Sequence, residues 1–384
     1  MVTGAYFPEI SGAGLQCRSL IAAARDDTLS FCVVTTCRDA RRTFLDLVDG
    51  VRVYRLPVNG PTWRIFPAWL YRICFLFFKV LNRVDLIHLH GFSRKSWLFL
   101  LYGLVARKKV LLKMSSLGVD DPLSVRRGKG LPYLFYRLAD YYLAPGPALE
   151  EAFRGSALDS GRLVVLPNGV DCERFRPAGD EEKRTLRTLL GLPQESVLVL
   201  FVGHFSSEKR PDLLARAWSS LAGDIGLVMV GATDPEAFEV ESRVVDQVKQ
   251  AAARAKVPGS LVLVERTSRV EDYFLACDIF ALPSVREGLP NALLEAMACA
   301  LACVAARLPG ATDQLLGPQA GVLVEPDDCE GLARAIEKLA GDSALRKRLG
   351  DGARNKILSG GYELEQVAAS YRQFYFRAAG PGSG

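Results

Sequence analysis

Short apolar runs rich in valine, isoleucine and leucine alternate with helical stretches along the whole chain, and this alternation restricts the fold more than any other feature. Strands that are apolar on both faces need cover on both sides, and parallel neighbours need a crossover long enough to hold a helix. In the first half we read strands at 31–36 (FCVVTT), 51–56, 84–89 (VDLIHL), 109–114 (KVLLKM) and 163–166. In the second half they fall at 197–202 (VLVLFV), 226–230, 261–265 (LVLVE), 278–282 (DIFAL), 302–306 and 321–324. Two doubly wound α/β sheets are expected, and a length of 384 residues agrees with two domains. Turn and breaker residues at Asn168-Gly169 and Arg176-Pro177-Ala178-Gly179 mark the link, before a charged helix near Asp180. This gives a first domain over 1–174, a second over 180–360, and a closing helix and tail over 361–384. Ligands of doubly wound sheets bind beyond the carboxyl ends of the strands, so the loops there hold the candidate site.

Nine cysteines stand singly with no C-x-x-C pair, which fits buried, inert thiols in a reducing compartment. The three histidines, His88, His90 and His204, belong to no H-E-x-x-H, and no D-x-D occurs. Neither a bound metal nor a cofactor is therefore expected. No G-x-G-x-x-G follows a strand with an acid about 20 residues later, which argues against a Rossmann dehydrogenase.

The net charge of +5 hides an asymmetry, because residues 1–171 carry 23 Lys and Arg against 14 Asp and Glu. Either an anionic partner or an ordinary solvated face accounts for it. The N-terminus lacks a basic stretch followed by an apolar core, and no uncharged run approaches 18 residues. The nearest approach to a span is 65–81 (IFPAWLYRICFLFFKVL), interrupted by Arg72 and Lys79. If this segment is helical throughout, Arg72, Lys79 and Arg83 fall within about 20° of one stripe. Trp63, Trp69 and residues 75–78 would supply apolar surface beside it. Two readings stay open: a helix lying on an anionic bilayer, or a core helix with a wet basic edge. A cytoplasmic location is expected, at the inner face of the membrane under the first reading, with no nucleic-acid partner.

The most informative stretch is 278–298, DIFALPSVREGLPNALLEAMA, a buried strand, a loop and a helix opening at Pro290. Glu287 in the loop and Glu295 in the helix form E-x7-E. The amides of Gly288, Leu289 and Asn291 lie at a helix N-terminus suited to phosphate or sugar oxygens. A carboxylate such as Glu295 can accept from two neighbouring ribose hydroxyls. The second stretch is 201–214, FVGHFSSEKRPDLL, in which the Lys209 ammonium could neutralise a departing diphosphate.

With these motifs the chain resembles the retaining glycosyltransferases of family 4, also called group 1, over nearly its whole length. The resemblance runs through VGHFSSEKRPDLL, YFLACDIFALPS, EGLPNALLEAMA, GVLVEP and LARAIEKLAGD, with PEISGAG, DLIHLHG and LPNGVDCERF in the first half. It implies the GT-B fold, two facing doubly wound domains, the first binding acceptor and the second nucleotide sugar, with the C-terminal helix returning to the first. It further implies that Glu287 contacts the donor sugar, Glu295 the ribose and Lys209 the diphosphate, with Glu287 and Lys209 as the catalytic pair. Gly12 and Gly14 would let the first loop approach the donor without a Cβ in the way. The implied donor is UDP- or GDP-sugar, and the implied acceptor a glycan or lipid-linked hydroxyl.

Some positions depart from the family pattern. His204 stands where an arginine is usual, leaving the diphosphate to Lys209 with Arg210 in support. Where many members place an active-site histidine, this chain reads Leu112-Lys113-Met114-Ser115-Ser116. Lys113, Ser115 or Ser116 could contact donor or acceptor instead. His88 is expected to be structural and His90 to reach the cleft. The first strand, at Met1–Tyr6, is shorter than is usual in the family. The reading is a sugar transferase in glycan assembly, with a nucleotide-sugar epimerase or a catalytically weak binding subunit as competitors.

Overall fold

The computed structural model describes residues 1–9, 11–37, 43–57, 66–128, 130–221, 224–234, 240–255 and 260–380. The chain divides into two compact units, Met1–Gly169 with Leu364–Gly384, and Val170–Glu363. The division falls at 169/170, directly after the breaker pair Asn168-Gly169 and a few residues before the first domain's expected end at 174.

The first unit holds strands β1 (Val2–Thr3), β2 (Cys32–Cys37), β3 (Leu45–Val48), β4 (Val51–Pro57), β5 (Leu86–His90), β6 (Lys109–Lys113), β7 (Tyr141–Ala144) and β8 (Leu163–Val165). Their order is β3-β4-β2-β1-β5-β6-β7-β8, parallel except for β3, which runs antiparallel to β4. The two-residue β1 lies between β2 and β5, near the middle of the sheet. Neither β3 nor β7 is among the strands read from sequence. β3 and β4 form a hairpin closed by Asp49 and Gly50, with φ of 51° and 74°, the left-handed pair that a tight two-residue turn requires.

The second unit holds β9 (Val197–Val202), β10 (Ile225–Val230), β11 (Leu261–Val264), β12 (Ile279–Leu282), β13 (Ala302–Ala306) and β14 (Val322–Val324). They are parallel throughout, in the order β11-β10-β9-β12-β13-β14. Alternate residues of β9 serve opposite faces: Leu198 and Leu200 join one core, Val199 and Phe201 the other. Asp278, just before β12, takes Lys183 at 2.9 Å, Arg187 at 2.7 Å and the Leu198 amide at 2.8 Å, tying β9 and β12 to the helix Asp180–Leu190.

The closing helix, Leu364–Ala379, belongs to the first unit. Val367, Ala368, Tyr371, Phe374, Tyr375 and Ala378 bury into one cluster with Leu20 and Ala24 of the helix Gly12–Ala24 and with Leu111 and Leu143 of β6 and β7.

Two expectations need correction. The segment read as one helix over 65–81 is α-helical only over Phe66–Phe75; a wider π turn, Leu76–Val80, and a tighter 3₁₀ turn, Leu81–Arg83, follow. A π turn rotates the chain less per residue than an α-helix, so Arg72, Lys79 and Arg83 do not form the single stripe that 100° per residue gives. Arg72 instead stands 5.6 Å from the Phe44 ring, and Trp63 lies outside the described residues. None of the cysteines is in a disulfide, but Cys74 is exposed and Cys32, Cys172 and Cys329 only partly buried. No helix among the described residues is long and apolar enough to cross a membrane.

Candidate functional site

β9 and β12 are direct neighbours, with Ile279 beside Val199 and Phe280 beside Leu200. The loops after them, residues 203–210 and 283–290, therefore leave the sheet side by side. The second loop is fastened to the first by the Val285 amide, which donates to the Glu208 carbonyl at 2.9 Å, and by an ion pair between Arg286 and Glu208. Ser207 is fixed in turn by its amide and hydroxyl, which donate to Glu241 at 2.9 and 2.8 Å.

This fastening brings together the two residues read as catalytic. Lys209 Nζ donates to both oxygens of Glu287, at 2.7 and 2.8 Å, and the Glu287 side chain is only 8% exposed. The pair is a charged clasp at the sheet's carboxyl end. Arg210 adopts a left-handed backbone, φ 53°, at the head of the helix Pro211–Ser219. Its guanidinium is held by Asp212 at 3.3 Å and by an ion pair with Asp327. His204 is partly buried in the same loop.

The helix after β12 starts at Asn291 and runs to Ala298; Pro290 is its extended cap rather than its first helical residue, with φ −73° and ψ 112°. Gly288 and Leu289 are buried beneath that head, and Asn291 partly so. Glu295, one turn further, is partly buried, and no described residue hydrogen-bonds its carboxyl. Burial pushes that carboxyl up to about 7, and the attraction of Arg174 only partly offsets it. A carboxylate without donors is costly to ionise, and ligand hydroxyls would relieve that cost. Ser284, fully buried where the loop leaves β12, carries an Oγ with no partner among the described residues. Sequence reasoning passed over it because a serine at a strand end carries no motif of its own.

In the first unit, the register sets His90 of β5 beside Lys113 of β6. Both are buried, as is His88, whose ring stacks on that of His90 with centroids 4.2 Å apart. His88 Nδ1 lies 2.9 Å from the Tyr375 hydroxyl, the structural role expected of it. Burial holds both imidazoles well below the usual histidine range and therefore neutral. Lys113 is an internal strut, donating to Gln16 Oε1 at 2.8 Å and Asn168 Oδ1 at 2.7 Å. Burial lowers its ammonium to about 7. It is not arranged as a ligand contact.

Ser115 and Ser116 are organised by Asp120, a residue not singled out in the sequence. Its buried carboxylate accepts from the Ser115 amide at 2.9 Å, the Ser115 hydroxyl at 2.8 Å, the Ser116 amide at 3.0 Å and the Phe92 amide at 3.3 Å. Its neighbour Asp121 caps the helix Pro122–Arg127. An Asp-Asp pair ahead of a proline was the available signal: one member caps while the other turns inward.

The glycine loop also receives a different explanation. Gly14 donates its amide to Ser11 Oγ at 3.0 Å, and a Cβ there would come within 2.3 Å of the Ala5 carbonyl oxygen. Gly14 is thus required by packing inside the unit, whereas a Cβ on Gly12 would meet open space. Among the described residues no group of three or more His, Cys, Asp or Glu side chains could hold a metal ion.

Two family models match consecutive parts of the chain: "Glycosyl transferase 4-like domain" over residues 11–169 and "Glycosyl transferases group 1" over 182–356. The chain belongs to the group 1 glycosyltransferases. The D-inositol 3-phosphate glycosyltransferase of Xylanimonas cellulosilytica is 32% identical over 235 residues, 60% of this chain and 54% of that protein. The putative teichuronic acid biosynthesis glycosyltransferase TuaC of Bacillus subtilis is 30% identical over 202 residues, 53% of this chain and 47% of that protein. The chain spans about half the length of these curated relatives. In fold, Anabaena HepE in complex with UDP and glucose superposes with a TM-score of 0.78 at 18% identity, covering 97% of this chain and 98% of that one. Sucrose-phosphate synthase from Thermosynechococcus elongatus gives 0.78 at 21% identity, covering 97% of each chain. Together with the two parallel-sheet units, these similarities make the fold of this group 1 glycosyltransferase GT-B.

Proposed function

We propose that this chain moves a hexose-type sugar, with retention and without a bound metal, from UDP- or GDP-sugar to a hydroxyl of a glycan or lipid-linked acceptor beside an anionic membrane. The observations that carry the reading are the Lys209–Glu287 clasp and the donor-starved carboxyl of Glu295 in the helix that follows the same loop. When the donor enters, the Lys209 ammonium exchanges its carboxylate partner for the diphosphate. Glu287 is then released to accept from the donor sugar's hydroxyls, and Glu295 accepts from the ribose. Preorganised positive charge stabilises the departing diphosphate, whose own oxygen can take the acceptor proton, so no side-chain base is required. The HepE structures, which hold UDP and glucose or UDP-glucose, lend support to a donor of this class.

The test is nucleotide release from a panel of UDP-, GDP- and ADP-sugars by the purified chain, compared with Lys209→Met and Glu287→Ala. We expect release with one donor class and a loss of at least 100-fold in either variant. Equal rates in all three proteins would overturn the assignment. A second reading, a nucleotide-sugar-binding subunit without turnover, is favoured by Met114, fully buried where many relatives place a histidine, and by Lys113, engaged internally. Calorimetric binding of a nucleotide sugar in the absence of any turnover would select it.

A further inference from the structure

The helix Ser96–Ala106 (SWLFLLYGLVA) carries no charged residue, although it lies on the surface of the first unit. Its inner side packs tightly: Phe99 and Leu100 are buried, and a Cβ on Gly103 would come within 2.3 Å of the Val110 side chain. Its outer side is also apolar. Leu98, Leu101 and Val105, at i, i+3 and i+7, are 46%, 45% and 76% exposed, with Leu104 alongside at 59%. A soluble helix ordinarily sets polar residues there.

Neighbouring elements extend the patch. The π turn is locked against the helix by the Phe77 ring, 5.8 Å from that of Phe99 and 4.8 Å from that of Tyr102, and Tyr102 donates to the Phe77 carbonyl at 3.1 Å. That places Phe78, 73% exposed, and Tyr71, 67%, on one flank. On the other flank Trp97 stacks on Phe135 at 4.9 Å, bringing in the helix Leu131–Tyr136 with exposed Leu131 and Leu134. An exposed apolar area assembled from three elements is larger than single scattered side chains and marks an interaction site.

Charge decides between partners. From Phe66 to Arg137 the sequence has 13 Lys and Arg against three Asp, and two of those, Asp120 and Asp121, are buried. Lys79, Arg83, Arg94, Arg107, Arg126, Arg127 and Arg137 are exposed, and none pairs with an acid among the described residues. Apolar side chains with an unopposed basic surround are complementary to anionic headgroups over an acyl region.

We propose that this face docks the protein onto an anionic phospholipid bilayer, with Leu98, Leu101, Leu104, Val105 and Phe78 entering the headgroup boundary. It deepens the reading of a membrane-side acceptor by naming the surface; the sequence had pointed only to residues 65–81.

The experiment is flotation of the full chain with vesicles of phosphatidylcholine alone and with one-third phosphatidylglycerol. Variants are Leu104→Asp/Val105→Asp and Arg107→Glu/Arg127→Glu, none of them in the donor site. We expect wild type to float with the anionic vesicles, more weakly at high salt, and each variant to lose at least tenfold in partitioning. The melting shift caused by UDP or GDP stays unchanged in both, so donor binding and docking are read separately. Failure of wild type to float, equal flotation with neutral vesicles, or flotation intact in the Leu104→Asp/Val105→Asp variant overturns the proposal. So does a dimer, seen by sedimentation velocity, that this variant abolishes, since a second copy would then cover the face.

Discussion

The substitution Glu295→Gln tests the donor site through stability, before any substrate is known. Burial raises the Glu295 carboxyl from its ordinary 4.5 to about 7. For an acid raised in the folded state, the native protein holds a proton that the unfolded chain has lost between those two values. Stability therefore falls as pH climbs from about 4.5 to about 7 and stays low above. At 1.36 kcal/mol per unit the full cost is about 3 kcal/mol, and partial exposure of the side chain reduces it to about 2 kcal/mol. Glutamine keeps the shape without the ionisation. The variant should be more stable than wild type by about 2 kcal/mol at pH 8, a melting shift of about 4–8 °C for a unit of this size, and no more stable at pH 4.5. Differential scanning fluorimetry across that range reads it directly. With saturating UDP or GDP the variant's advantage should largely vanish, because a charge-assisted acceptor contributes about 1.5–3 kcal/mol that an amide does not supply. An advantage independent of pH, or equal stabilisation of both proteins by nucleotide, would refute the reasoning.

Gly14→Ala should destabilise the first unit by about 1–3 kcal/mol, measured by urea unfolding, because the new methyl meets the Ala5 carbonyl, backbone that cannot step aside. Asp120→Asn should cost about 2 kcal/mol and loosen the Ser115–Ser116 loop, since one amide oxygen cannot serve the four donors that the carboxylate holds. Steady-state kinetics should then show a raised KM for acceptor with nucleotide affinity unchanged.

Where side-chain type and strand order suffice, the sequence was informative. The apolar runs named eleven of the fourteen strands. Glu287 and Lys209 were named together by the family resemblance, whereas the adjacency of the strands that precede their loops came only from the structure. β3, mostly exposed and interrupted by Asp46, is not a continuous apolar run, although Asp49-Gly50 between alternating apolar residues is a strong hairpin signal. The π turn at Leu76–Val80 was beyond reach, because it answers to Phe77 packing against Phe99 and Tyr102, partners distant in sequence. Asp120 and the Lys113 strut were illegible for the same reason: composition says that an acid or an amine is present, whereas only tertiary structure says that it faces inward.

The return of the closing helix to the first unit has a consequence for the order in which the protein can be made. The ribosome delivers Met1 to Gly169 before the second unit, but the core containing Leu20, Leu111 and Leu143 lacks Tyr371, Phe374 and Tyr375 until the closing helix emerges. The second unit, continuous from Val170 to Glu363, can finish while the first still waits. A nonsense mutation just ahead of Leu364 would therefore damage the first unit, already translated up to Gly169, and spare the second unit, translated just before the stop.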